Sequence, residues 1–287
     1  MKNETIVVLT YYKCQKYFKD QIDSIKNQTK VPDLLIIVND SNDYLEEQYI
    51  NNFNYGNLNV NIITNKHNYG CTRSIYIGLK YAYIKCAKYI WISDCDDIWL
   101  PDKIRLQYNE LKKGIDICNH YSQKIINGEK STINFANCAG HSLAFNASSF
   151  RKGINLIARP NFKSFNTERL KATYDSILSF IPLIYGLKWG VVDKVLVYHR
   201  LYNKEHYTIN SEMHKSIIQD IKNFYNGICA YKNMKDYLDQ NTTFKTSAKE
   251  LFNYYRKIVN KYDLCSTSIR FKNSIFDTIG SIVLTFS

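Results

Sequence analysis

No C-x-x-C pair occurs among the eight cysteines of this chain (14, 71, 86, 95, 118, 138, 229 and 265). Zinc sites and disulfide frameworks use closer spacing, so these thiols are expected to serve as small apolar side chains in a reducing cytosol. No stretch reaches the roughly 18 apolar residues that cross a bilayer. The opening "MKNETIVVLTYY" carries only a short apolar run and no cleavage-site pattern, so no signal peptide is expected. Dense basic runs and arginine-rich helices are missing, which argues against nucleic acid as a partner. Gly-x-Gly-x-x-Gly and Gly-Lys-Ser turns are missing as well, which argues against a dinucleotide fold or a P-loop enzyme. Internal repeats and low-complexity linkers are not found.

What is present is an ordinary globular composition, 45% hydrophobic and 22% charged over 287 residues, with a net charge of +12. The positive charge is spread along the chain and favours anionic partners such as acidic lipid headgroups or phosphorylated small molecules. The last fifteen residues, "NSIFDTIGSIVLTFS", are apolar enough to touch a membrane surface or to close the domain as a packed helix.

The first half alternates β-rich runs with helical patterns. "TIVVLTY" predicts a strand, and the helix after it places Phe18, Ile22 and Ile25 on one face. "LLIIV", "NVNIIT" and "YIWIS" predict further strands, the last reached by a helix from about Thr72 to Lys88. "LPDKIRLQYNELKK" predicts a helix opened by Pro101. Continuous apolar strands alternating with helices predict an α/β fold, a mostly parallel sheet covered on both faces. Ligands bind such sheets beyond the carboxyl ends of the strands. The middle predicts a strand pair turning at Asn127–Gly128, an extended "AGHSLAF", a helix from Asp175 to Ile181 and a strand through "KWGVVDKVLVYHR". Helical patterns dominate from about residue 210.

The sequence concentrates its negative charge at one strand end. In "SDCDDIWLPDKI", Asp94, Asp96 and Asp97 fall within four residues. If strand geometry continues, Asp94 and Asp96 face the same side and Asp97 begins the turn. A helix-capping role accounts for Asp97 alone. Two like charges so close call for a cation, and magnesium or manganese is usually held by one or two carboxylates plus phosphate oxygens.

Four stretches in order carry a family resemblance over about residues 5–205: "TYYKCQKYFKDQIDSIKNQT", "IIVNDSND", "NKHNYGCTRSIYIGLKYA" and "YIWISDCDDIWLPDKI". They resemble the opening strand and helix, the Asp-Asp-Gly-Ser region, the Asn-x-Gly-x-x-x-Arg helix start and the Asp-x-Asp block of inverting family 2 glycosyltransferases. The similarity is to rhamnosyltransferase-like enzymes of bacterial surface polysaccharide synthesis. In this chain Asn39 stands for the first acid of the Asp-Asp pair, and the glycine that follows the pair is lost.

The resemblance implies a GT-A fold: a nucleotide-sugar-binding half (1–113), an acceptor-binding half (114–207) and a helical C-terminal extension (208–287). It implies that Thr10 and Tyr12 line the nucleoside pocket and that Asp40 contacts the base. Arg73 would sit beside the base or the pyrophosphate, Asp94 on the ribose, and Asp96 on a Mg2+ or Mn2+ ion. Asp175 would be the general base, and His141 would lie under the donor sugar. His199, Arg200 and His206 in "YHRLYNKEH" would be phosphate or acceptor contacts. The expected partners are a nucleoside-diphosphate sugar, UDP- or dTDP-linked, and a glycan or lipid-linked acceptor. A cytosolic enzyme at the anionic inner face of the cell membrane is expected. Two rivals stand beside this reading, a sugar-nucleotide nucleotidyltransferase and a non-catalytic sugar or nucleotide-binding module. The first should carry a glycine- and lysine-rich N-terminal loop, which "LTYYKCQKYF" is not.

Overall fold

A computed structural model describes residues 3–126, 129–136, 142–151, 153–154, 178, 181–182 and 185–201. The chain divides into two compact units, one of residues 1–125, 130–159 and 174–200 and one of residues 126–129, 160–173 and 201–287. Almost all of the second, together with His141, Asp175 and His206, lies outside the described residues.

Apolar runs become strands and amphipathic stretches become helices, in strict alternation as far as β4 (Tyr89–Asp94). The elements are β1 (Thr5–Tyr11), α1 (Gln15–Lys26), β2 (Leu34–Asn39), α2 (Tyr44–Asn51), β3 (Val60–Thr64), α3 (Cys71–Ile84) and β4 (Tyr89–Asp94). They continue as β5 (Ile98–Trp99), α4 (Lys103–Lys112), β6 (Ile117–Ile126), β7 (Glu129–Ala136), β8 (Ala144–Asn146), α5 (Ala147–Phe150) and β9 (Trp189–Leu201). The sheet runs β3-β2-β1-β4-β8-β6-β9-β5, with β7 paired to β6 off this path. β3, β2, β1 and β4 are mutually parallel, whereas β8 joins β4, and β5 joins β9, antiparallel.

β1 and β2 are buried at every residue, because helices cover both faces of these central strands. On one face Val7, Leu9, Leu35, Ile37 and Trp91 pack with Phe18, Ile22 and Ile25 of α1, the three positions expected to share a helix face. Each such fully buried side chain contributes about 1.5–3 kcal/mol against its exposed state. α3 covers the other face at close range. A Cβ on Gly78 would lie 2.4 Å from Val8 Cγ1 and 3.0 Å from Val38 Cγ2, so glycine lets the helix backbone approach the sheet.

Two helix boundaries differ from expectation for local reasons. α3 ends at Ile84, not Lys88. Cys86 takes φ +59°, and its N–H donates to the Tyr83 carbonyl while that of Ala87 donates to the Ala82 carbonyl. This pair of bonds is a Schellman closure with cysteine in the place glycine usually holds. α4 begins at Lys103, with Pro101 in the preceding turn and Asp102 at the cap. Among the described residues no helix is long and apolar enough to cross a membrane.

Candidate active site

The parallel strands end at one edge of the sheet, and their register decides which residues meet there. Thr10 stands beside Asp94, and Asn39 stands between Tyr11 and Thr64. Thr10 and Asp94 are in-register neighbours and therefore share a face, the face that α3 covers. Thr10 Oγ1 lies 3.9 Å from Sγ of Cys71, the first residue of α3. Tyr12, one residue past β1, leaves 42% of its surface exposed. Arg73, in the first turn of α3, is exposed, and its guanidinium carbon lies 5.6 Å from the Tyr76 ring centroid.

Asp40 is buried just beyond β2, and its carboxylate is put to use inside the protein. Oδ1 accepts from Asn65 Nδ2 and from the Tyr69 N–H, each at 2.8 Å, and Oδ2 accepts from the Gly70 N–H at 2.8 Å. Gly70 has φ +81°, which turns the chain into α3. Asp40 therefore ties the loop after β3 to β2 and sets where α3 begins. Asn39 Oδ1 accepts the Ser41 N–H at 3.0 Å, a turn that asparagine closes as well as aspartate. Ser41 Oγ in turn accepts the Lys13 N–H at 3.1 Å, joining the β1 and β2 loops. Asp43 caps α2, accepting from the Leu45 and Glu46 N–H groups.

The acidic turn follows β4. Cys95 points to the α1 side and is buried in the core there with Cys14 and Phe18. Asp94 and Asp96 remain partly exposed, and Asp97 is fully buried. Burial, then the charges of Asp97 and Asp94, push the Asp96 carboxyl up to about 7, with His199 opposing the rise. The like-charge crowding expected from the sequence is thus present. Asp97, expected to begin the turn, buries its side chain. It accepts a 2.8 Å hydrogen bond from Nδ1 of His199, a residue brought there by the β5–β9 pairing of Ile98 with Tyr198 and Trp99 with Val197. Arg200, next along β9, donates from Nη1 to the Asp96 carbonyl at 3.0 Å and from Nη2 to the Asp20 carboxylate. These contacts put His199 and Arg200 against the acidic turn itself.

The family described as glycosyl transferase family 2 matches residues 5–178. The chain belongs to that family. An O-antigen biosynthesis glycosyltransferase of Escherichia coli, WbnJ, is 28% identical over 216 residues, which are 69% of this chain and 80% of that protein. The uncharacterized glycosyltransferase MJ1057 of Methanocaldococcus jannaschii is 34% identical over 114 residues, 39% of this chain. The chain thus spans 38% of that relative's length. Among solved structures, S. aureus TarS 1–349 in complex with UDP-GlcNAc matches with a TM-score of 0.59 at 14% identity, over 84% of this chain and 68% of that one. The mannosyltransferase PcManGT of Pyrobaculum calidifontis, solved with GDP-Man and Mn2+, matches with a TM-score of 0.53 at 10% identity, over 82% and 64%. At such identities these two likenesses establish the fold, which is the GT-A fold expected from the sequence.

In this family 2 member, Asp94 and Asp96 are carboxylates among the described residues that could hold a divalent cation. Among the described residues no group of three or more His, Cys, Asp or Glu could hold a metal ion, and magnesium or manganese on one or two carboxylates commonly takes further ligands from phosphate oxygens or water. Several residues that shape the site were not singled out from the sequence. Polar side chains of α1 and of Gln28 just past its end grip the acidic segment. In the orientation that matches donors to acceptors, Gln21 accepts from Ser93 Oγ at 2.7 Å and Trp99 Nε1 at 3.2 Å, and donates to the Asp97 carbonyl. Ser24 Oγ accepts the Trp99 N–H at 3.0 Å, and Gln28 bonds the Leu100 carbonyl and the Ile104 N–H at 2.8 and 3.0 Å. Behind the turn, fully buried Lys103 donates to Gln107 Oε1 at 3.0 Å and meets His120 Nε2 at 2.9 Å, over the Trp99 ring. Burial pulls its ammonium down to about 7, although Cys118 and Asp97 oppose the shift.

The Asp97–His199 contact carries a pH signature. Burial of His199 lowers its affinity for a proton, but Asp97, Asp96 and Asp94 outweigh that and raise it from 6.5 to about 9. The folded protein therefore holds this proton more tightly than the unfolded chain does. The resulting stabilisation is fully present below about pH 6.5 and is lost as pH rises through about 9. His199→Asn, which keeps a donor but not the charge, is expected to lower stability by about 2 kcal/mol at pH 6 and by almost nothing at pH 10. Urea denaturation of both proteins across that range measures the difference, in which the opposite contribution of Lys103 cancels. A gap that does not change with pH would remove the ion pair from the account.

Proposed function

We propose that this family 2 member is a metal-dependent, inverting glycosyltransferase. It would pass a sugar from a nucleoside diphosphate, UDP- or dTDP-linked, to a hydroxyl of a glycan or lipid-linked oligosaccharide of a surface polysaccharide. The observation that carries the reading is the crowded turn at the C-terminal edge of the sheet. There, Asp96 sits beside two like charges, which together with burial shift its carboxyl to about 7. Such an arrangement favours an arriving cation as strongly as it disfavours its own ionisation.

Each group has a task in this reading. A divalent ion on Asp96, when bound, would neutralise charge developing on the departing diphosphate. Asp94 and Thr10, neighbours on the face that α3 covers, would receive the ribose and the nucleoside, with Tyr12 at the pocket mouth. Asp40 would touch the base while keeping the 65–70 loop in place, and Arg73 would reach the base or pyrophosphate. Asp175 would take the proton of the acceptor hydroxyl as that oxygen attacks the anomeric carbon opposite the leaving group. His141 would lie under the donor sugar. The role of WbnJ in O-antigen biosynthesis supports the class of product. TarS with UDP-GlcNAc and PcManGT with GDP-Man and Mn2+ support a nucleotide-sugar donor and a metal.

The experiment is a thermal-shift screen of UDP, dTDP and GDP with and without Mn2+, followed by transfer assays. One nucleotide is expected to stabilise the protein only with metal. Asp175→Asn should keep that stabilisation but lower transfer by about 10²–10⁴. Equal stabilisation without metal would sink the metal assignment. Metal-dependent binding with no turnover on any acceptor tried would favour a non-catalytic binding module.

A further inference from the structure

The polar side chains of α1 and Gln28 grip the segment 93–104 on either side of Asp96, whereas Arg200 grips Asp96 itself. Its side chain is only 13% exposed, and its guanidinium lies 4.9 Å from the Tyr17 ring centroid and directs one nitrogen to the Asp96 carbonyl and the other to Asp20. Tyr17 and Asp20 both belong to α1, and Arg200 belongs to β9. One rigid, planar group thus joins a helix, a strand and the backbone of the residue whose carboxylate the reaction needs. A lysine could reach one of these partners but has no fork to hold both.

We propose that Arg200 is a positioning residue of the transfer site: by fixing the Asp96 carbonyl, it fixes the direction from which the Asp96 carboxylate meets the cation of the donor complex. This inference rests on the reading of Asp96 given under Proposed function. Releasing the carbonyl lets the peptide between Asp96 and Asp97 rotate. The carboxylate then has to be ordered each time the ion binds, and the affinity for the ion falls while nucleotide contacts elsewhere stay intact.

The test titrates Mn2+ against protein saturated with whichever of UDP, dTDP or GDP stabilises it most, reading the midpoint by thermal shift. Arg200→Ala is expected to raise the Mn2+ midpoint about tenfold, the scale of one hydrogen bond to a charged group. Arg200→Lys should raise it about threefold, since the charge and one donor remain. A merely structural role would lower the melting temperature of the metal-free protein and leave the midpoint where it was, and that result overturns the proposal. If Arg200→Ala does not fold, the lysine variant decides, and a midpoint within error of wild type again overturns it. Asp96→Ala in the same titration separates the two levels. If it keeps the full Mn2+ response, the reading of Asp96 has failed. If it loses the response while the Arg200 variants behave as wild type, only the positioning role has failed.

Discussion

Asp96→Ala is expected to lower transfer by about a thousandfold and to abolish metal-dependent nucleotide stabilisation, while leaving the fold as stable or more so. The two halves of this expectation have one cause. Asp96 is partly buried, with Asp97 and Asp94 close by, and its carboxyl rises to about 7. A carboxyl held higher in the folded chain than in the unfolded one contributes stability at low pH and loses it as pH climbs from about 4 through about 7. At pH 8 the ionised group therefore costs the fold about 1–2 kcal/mol, after allowance for solvent at a partly exposed site. Alanine removes that cost together with the ligand. Melting curves and transfer assays on one preparation check both signs. A variant that is less stable and still binds metal and nucleotide would show that Asp96 serves the fold and not the reaction.

Asp40→Ala is expected to be the most damaging single change to stability at the site, costing about 3–4 kcal/mol. The carboxylate is 3% exposed and is the shared acceptor of Asn65 Nδ2 and of the Tyr69 and Gly70 N–H groups. Its loss leaves these donors to find other acceptors and frees the turn that opens α3. Nucleotide affinity should fall with it, because Arg73 and Cys71 sit in the first turn of that helix. Asp40→Asn, which retains one acceptor oxygen, should lose about half as much. Chemical denaturation gives the stability change, and hydrogen exchange at residues 65–72 should report faster opening in Asp40→Ala. Wild-type protection there, with weaker nucleotide binding alone, would make Asp40 a ligand contact without a structural role.

Much of this was legible in the sequence because its signals are local. Apolar runs such as "LLIIV" and the Phe18–Ile22–Ile25 face specify strands and helices directly, and parallel strands deliver their ends to one edge. The run Asp94–Asp96–Asp97 marked the site for the same reason. What escaped was non-local. The β5–β9 pairing joins residues about a hundred positions apart, so nothing near Asp97 announces His199 as its partner. Lys103 carries a polar head in a helix that was placed only by its boundaries, and its burial comes from Trp99 and His120 around it. One missed signal was available. Gln21 and Ser24 follow helical spacing on α1 beside its apolar residues, with Gln28 just past its end, and buried polar groups require partners. The loss of the first acid at Asn39 also has a local reading, since its side chain closes a turn that needs an acceptor and not a charge.

The contact at Gly78 reaches further than its position suggests. Helix α3 spans Cys71–Ile84, with Gly78 near its middle, so the glycine acts as a fulcrum about 10 Å from the helix start. Tilting the helix by about 5° about that point would carry its first turn nearly 1 Å across the strand ends, a displacement of the size that costs catalysis about a hundredfold. A methyl group added there meets Val8 at 2.4 Å and must tip the helix or spread the strands. Geometry at the site is thus levered by a residue that touches none of it.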